Sequence, residues 1–135
     1  MSQVDAAKIW SLNYRVLLSV ITCAEPEITA LGLDSKELFL LAEVDEHPYP
    51  AELAASLSMP KPTVTVYLKR LEAAGFVRRE IDAADLRRHR LLLTPAGRQA
   101  TTAGLALLSG AFNKRLERLT LTQQKDLKNL LEKIL

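Results

Sequence analysis

Several residue types are scarce in this chain, and each scarcity excludes something. A single cysteine, Cys23, cannot form an intramolecular disulfide; with no signal peptide it fits a reducing cytoplasm. The two histidines, His47 and His89, lack metal-ligand spacing with each other or with Cys23, so no metal is expected. The five glycines form no phosphate-cradling loop, and no activated nucleophile pattern appears, so neither an enzyme nor a bound cofactor is expected. Long hydrophobic runs are missing as well. Trp10 to Ala24 is apolar but broken by Asn13, Arg15 and Ser19, too short and too polar to span a bilayer, and no membrane partner is expected.

What is present is a core-forming chain with an uneven charge. At 135 residues and 48% hydrophobic content it fits one domain. A domain of this size buries only about two-thirds of its unfolded surface, so an oligomer that hides an apolar helix face would help it. Lys61 to Arg90 holds eight Lys or Arg against four acids, a local charge of +4 when the whole chain carries +2. Cations gathered on one segment point to a polyanionic partner, with nucleic acid the leading candidate.

In chain order, Ser2 to Asp5 offers a capping start for a first helix whose polar residues Ser11, Arg15, Ser19 and Thr22 make one narrow stripe. Most of that helix's circumference is apolar. It is either sandwiched between its own domain and another subunit or buried centrally in one core. Pro26 is expected to break it near Glu25. Asp34, with Glu37 three residues on and Leu33 stapled to Leu38, starts a second helix running to about Glu46. A short helix over 51–58 follows, and Pro62 marks the start of another. Two short helices joined by a tight turn make a helix-turn-helix.

Val64, Leu68 and Leu71 form the inner face of that second short helix, and Gly75 its C-cap. Residues 76–81 and 90–93 have strand character around a polar loop, the pattern of a β-wing. Thr94-Pro95 starts a further helix, in which Gly104 and Gly110 either weaken the helix or allow a close approach or a bend. Thr122 is expected to cap a last helix with Leu127, Leu130, Leu131, Ile134 and Leu135 on one face. The apolar stripes at both chain ends predict a helical dimer interface.

Several short motifs support a family resemblance: Glu52-Leu53-Ala54, Val64-Thr65, Arg70-Leu71-Glu72, Gly75-Phe76-Val77-x-Arg79, Asp82-x-x-Asp85-x-Arg87 and Leu93-Thr94-x-x-Gly97. In these the chain resembles the MarR family of winged helix-turn-helix bacterial regulators. The resemblance implies a mainly α fold, a winged helix-turn-helix with N- and C-terminal helices forming a dimerisation region. It places one domain over 1–135, with the DNA-binding part at 33–95 and the dimerisation part at 1–25 and 95–135. It further implies a homodimeric transcription factor, usually a repressor, often released by a small ligand or by oxidation. Val66 and Lys69 depart from the family pattern, which often has a polar or basic residue and an acid there.

A helix fits the major groove, and its first residues reach base edges, which nominates Pro62, Thr63, Thr65 and Val66, with Lys61 at the entrance. Val66 either meets a thymine methyl or is a silent surface residue. Lys69 and Arg70 are expected to hold phosphates, against the alternative of a solvated face. Arg87 at the wing tip is the minor-groove probe, and Arg88 and Arg90 serve phosphates. Asp82 builds the wing turn, and Asp85 either does the same or holds Arg87. Two-fold symmetry demands a pseudo-palindromic double-stranded DNA site. Trp10, Asn13, Tyr14 and Arg15 either wall a small-molecule effector cleft or pack a dimer interface. Cys23 is expected to be a small hydrophobe in apolar company, with redox sensing the alternative. The competing reading of the whole chain is a winged-helix protein-interaction module that does not read DNA.

Overall fold

The computed structural model describes residues 3–135, so Ser2 of the expected first cap lies outside it. Six helices and one two-stranded antiparallel sheet are described: α1 (Ala6–Ala30), α2 (Ser35–Glu43), α3 (Pro50–Leu57), α4 (Lys61–Ala73), β1 (Val77–Ile81), β2 (His89–Leu93), α5 (Pro95–Leu116) and α6 (Leu121–Ile134). They form two compact units. One comprises Glu25–Ala106, the other the chain up to Ala24 together with Leu107–Leu135.

In the unit Glu25–Ala106, Ile28, Leu38, Leu40, Leu41, Leu53, Leu68 and Leu71 are buried almost completely. Each such side chain contributes about 1.5–3 kcal/mol by leaving water. That burial explains why Pro26 does not end α1, which runs four residues beyond it to Ala30. A proline inside a helix costs about 3 kcal/mol, and the burial of Ala24 and Ile28 on either side of Pro26 offsets that.

The expected capping box at α2 is present. Asp34 Oδ1 accepts the Glu37 N–H at 2.8 Å, and Glu37 Oε1 accepts the Asp34 N–H at 2.9 Å. The helix stops at Glu43, short of Glu46, in a turn. Between α3 and α4 the chain reverses through Ser58, whose φ of 51° puts a non-glycine residue in the left-handed region.

Helix α4 ends in a Schellman motif. The Gly75 N–H bonds the Glu72 carbonyl at 3.0 Å, the Phe76 N–H bonds the Leu71 carbonyl at 3.0 Å, and Gly75 has φ +80°. Val77 then pairs with Leu93 at the base of the wing, and Ile81 with His89 at its outer end. Thr94 locks the wing to α5: its hydroxyl donates to the Gly75 carbonyl at 2.5 Å and accepts the Gly97 N–H at 3.0 Å. A Cβ on Gly97 would lie 1.9 Å from the Phe76 carbonyl oxygen, so no other residue fits there without moving backbone. Gly104 is a close-approach glycine against Leu38, whereas Gly110 faces open space.

In the other unit, the Lys8 N–H bonds Asp5 Oδ1 at 3.1 Å at the start of α1. The cap of α6 is Thr120 and not Thr122. Thr120 has Gln123 three residues on, and the two side chains bond each other's backbone N–H groups at 3.2 and 2.9 Å. Thr122 falls inside the first turn. Gln124 satisfies the end of α5 by donating to the Leu116 and Leu119 carbonyls at 2.9 and 3.2 Å. Phe112, Leu116, Leu121, Leu127 and Leu131 line an apolar groove of about 390 Å³. Ile9, Trp10, Leu12, Val16 and Leu17 on α1, and Leu130, Leu131 and Ile134 on α6, are exposed in the single chain.

Candidate nucleic-acid interface

Helix α4 divides its residues sharply. Val64, Leu68 and Leu71 are buried, while Lys61, Pro62, Thr65, Val66, Lys69 and Arg70 are exposed and Thr63 is half-buried. Val66 is 67% exposed, an apolar side chain with no intramolecular cover. The Thr65 hydroxyl donates to the Lys61 carbonyl at 3.0 Å, so what it presents outward is its acceptor lone pairs. Among the described residues, Lys61, Lys69 and Arg90 form no ion pair.

Arg70 pairs with a buried acid while most of its own side chain stays in solvent. Its Nη2 lies 2.6 Å from Oε1 of Glu37, whose side chain is 1% exposed. That same oxygen closes the α2 capping box, and the other, Oε2, is buried with no hydrogen-bond partner. Burial pushes the Glu37 carboxyl above the usual glutamate value, opposed by the Asp34 backbone bond and the Arg70 charge.

The wing is built on Asp82 and Asp85. Asp82 Oδ1 accepts the Ala84 N–H at 2.8 Å, as a turn-building aspartate should. Its other oxygen accepts the Tyr49 hydroxyl, which connects the wing to the residue preceding α3. Asp85 Oδ1 accepts both the backbone N–H of Arg87 at 3.0 Å and its Nε at 3.3 Å, so it shapes the turn and steadies the guanidinium together. Arg87 itself is 92% exposed. Arg88 turns back: its guanidinium stacks 3.5 Å over the Tyr49 ring and lies 3.6 Å from Glu52. The Tyr49–Asp82 bond raises the tyrosine hydroxyl's pKa and lowers the aspartate's.

The remaining candidates lie elsewhere. Trp10, Asn13, Tyr14 and Arg15 are exposed on α1, with the Trp10 and Tyr14 rings stacked at 6.0 Å. Cys23 is exposed too, contrary to the small-hydrophobe expectation, because it falls on the outer side of α1 while Val20, Ala24 and Ile28 turn inward. Glu43, Glu46 and His47 place ligand atoms within 4.8 Å of one another, and His47 Nε2 lies 3.7 Å from Glu43. These three lie at the end of α2 and in the turn after it, and neither Cys23 nor His89 is among them. No single helix among the described residues is long and apolar enough to cross a membrane.

A MarR-family model matches residues 31–88, which takes in α2, α3, α4, β1 and the wing loop up to Arg88. The HTH-type transcriptional repressor Rv2887 of Mycobacterium tuberculosis is 31% identical over 136 residues, 99% of this chain and 98% of the repressor. The chain belongs to the MarR family. Among solved structures, this MarR-family chain is similar to Rv2887 in complex with DNA, with a TM-score of 0.78, 29% identity and 98% of each chain covered. It is also similar to Rv2887 in complex with salicylic acid, with a TM-score of 0.77, 29% identity and 98% of each chain covered.

The local excess of positive charge over 61–90 marks the cations, and of their partners only Asp85, for Arg87, is legible in the sequence. Tyr49, Glu52 and Glu37 were not singled out for the site, yet they hold Asp82, Arg88 and Arg70. Tyr49 carried one usable signal: it occupies an N-cap position, where Ser, Thr, Asp or Asn is favoured, and makes no capping bond there.

Proposed function

We propose that this chain is a cytoplasmic, homodimeric repressor that binds double-stranded DNA sequence-specifically, has no enzymatic activity, and is modulated by a small ligand. The observation that carries the reading is the outward face of α4 beside an ordered wing that presents Arg87 to solvent. The MarR-family membership and the DNA complex of the similar Rv2887 support it. Thr63, Thr65 and Val66 read bases from the major groove, with Pro62 and Lys61 at its edge. Thr65, its proton already donated, accepts from an adenine or cytosine amino group, and Val66 meets a thymine methyl. Lys61, Lys69 and Arg90 hold phosphates, and Arg87 enters the minor groove. Arg70 and Arg88 have internal partners and stand outside that set.

Residues 33–95 form the DNA-binding part of a single domain, and 1–25 with 95–135 the dimerisation part. The exposed apolar stripes of α1 and α6 support that division. Trp10, Asn13, Tyr14 and Arg15 contribute to an effector site, for which the stacked rings and the guanidinium suit a small aromatic acid; the salicylic acid complex of Rv2887 supports that chemistry.

Fluorescence anisotropy with a random-sequence duplex, titrated across salt, tests the central claim. Three phosphate contacts per subunit predict a slope of log affinity on log salt of about −5 for the dimer. Absence of binding at low salt would favour the protein-interaction module.

A further inference from the structure

We propose that Glu37 is a positioning residue of the DNA interface, and that Arg70 answers to its buried carboxylate and not to a phosphate. The proposal rests on the DNA-binding reading above. Arg70 lies two turns beyond Thr63 on the same side of α4, so whatever holds Arg70 sets the direction in which Thr63 and Val66 point. What holds it is one oxygen of Glu37, at 2.6 Å. The same oxygen accepts the Asp34 N–H at 2.9 Å, so the recognition helix is pinned to the first turn of α2.

The tie is buried on one side only: the Arg70 side chain keeps 59% of its surface in solvent, and the carboxylate beneath it is the buried partner. The Glu37 side chain is 1% exposed and Oε2 has no hydrogen-bond partner, so the carboxylate depends on Arg70 and one backbone N–H. A buried charge deprived of its counter-ion is far costlier than a solvated phosphate short of one cation. Val64, Leu68 and Leu71 seat α4 by close packing, and the Glu37–Arg70 pair adds a directional contact at the edge of that packing.

The two roles for Arg70 leave different marks on binding. A phosphate anchor contributes equally to all sequences and to the salt slope, whereas a positioning residue acts on discrimination. The test compares wild type, Arg70→Ala and Glu37→Gln/Arg70→Ala by anisotropy. The probes are the tightest duplex that the wild type selects from a random-sequence pool and an unselected duplex, each across salt. The double variant removes the buried charge with its partner and keeps a capping glutamine, so it folds even where the single variant does not. We expect the ratio of selected to unselected affinity to fall about tenfold with the salt slope unchanged. A slope smaller by about one per subunit with the ratio preserved makes Arg70 a phosphate anchor and overturns the proposal. So does an unchanged ratio with an unchanged slope. Failure of the wild type to bind either duplex at low salt overturns the DNA-binding reading itself.

Discussion

Arg87 owes its usefulness to Asp85, which fixes both its backbone and its guanidinium while leaving the side chain in solvent. An arginine already held in the shape of a turn loses little freedom when it enters a groove. Arg87→Ala should weaken the selected operator about thirtyfold, the scale of one lost base-level contact, without altering the oligomeric state. Gel shift and sedimentation together check both halves. Glu37 couples stability to pH. Burial raises its carboxyl above the ordinary value of 4.5, so its contribution to stability is fully present below that pH and lost as pH rises through the raised value. Urea midpoints of wild type should therefore fall relative to Glu37→Gln as pH rises from 4.5 through the raised value. A constant difference across that range would show that the carboxyl titrates as it does in the unfolded chain.

Among the elements, the wing loop is tied to the helix-turn-helix through Tyr49. Tyr49 accepts a stacked Arg88 on its face and gives its hydroxyl to Asp82, so the loop is tied back to the start of α3. Tyr49→Phe keeps the stacking and removes the bond. Amide exchange over 82–88 should quicken, and operator affinity should fall about fivefold, the scale of one hydrogen bond. Unchanged exchange would mean that the two turn aspartates suffice. The bond is intact in a defined window. Asp82, lowered from 3.8, loses it as pH falls through the lowered value, and Tyr49, raised from 10.0, loses it as pH rises through the raised one.

Elements whose signals are local were legible from the amino acids. The Asp34–Glu37 box, the Gly75 cap and the Thr94 cap depend on residues a few positions apart, and the wing strands pair across one short loop. Two misreadings came from weighing a local rule alone. Pro26 lost to the burial of Ile28, and Thr122 lost to a better box two residues earlier. The site's internal ties were illegible for a different reason. Tyr49 and Asp82 are 33 residues apart, and no periodicity relates them. Arg70 looked like any exposed helix cation until Glu37 appeared beneath it.

For the whole molecule, the stripes on α1 and α6 bear directly on assembly. Trp10, Leu17, Leu121, Leu130 and Ile134 all face water in one copy, apolar side chains that a partner copy would cover. Replacing Leu130 and Leu131 with glutamate should yield a monomer that still binds random DNA weakly but has lost the operator. Size-exclusion chromatography beside anisotropy would read this, and a double variant that remains dimeric would place the interface elsewhere. The same stripes carry a consequence for dosage. Pairing stabilises the fold by mass action, and each tenfold dilution removes about 1.4 kcal/mol from the dimer. Melting temperature should climb with protein concentration, and a cell holding few copies would keep part of its pool unpaired. Synthesis rate would then set the fraction of repressor competent to bind, before any effector arrives.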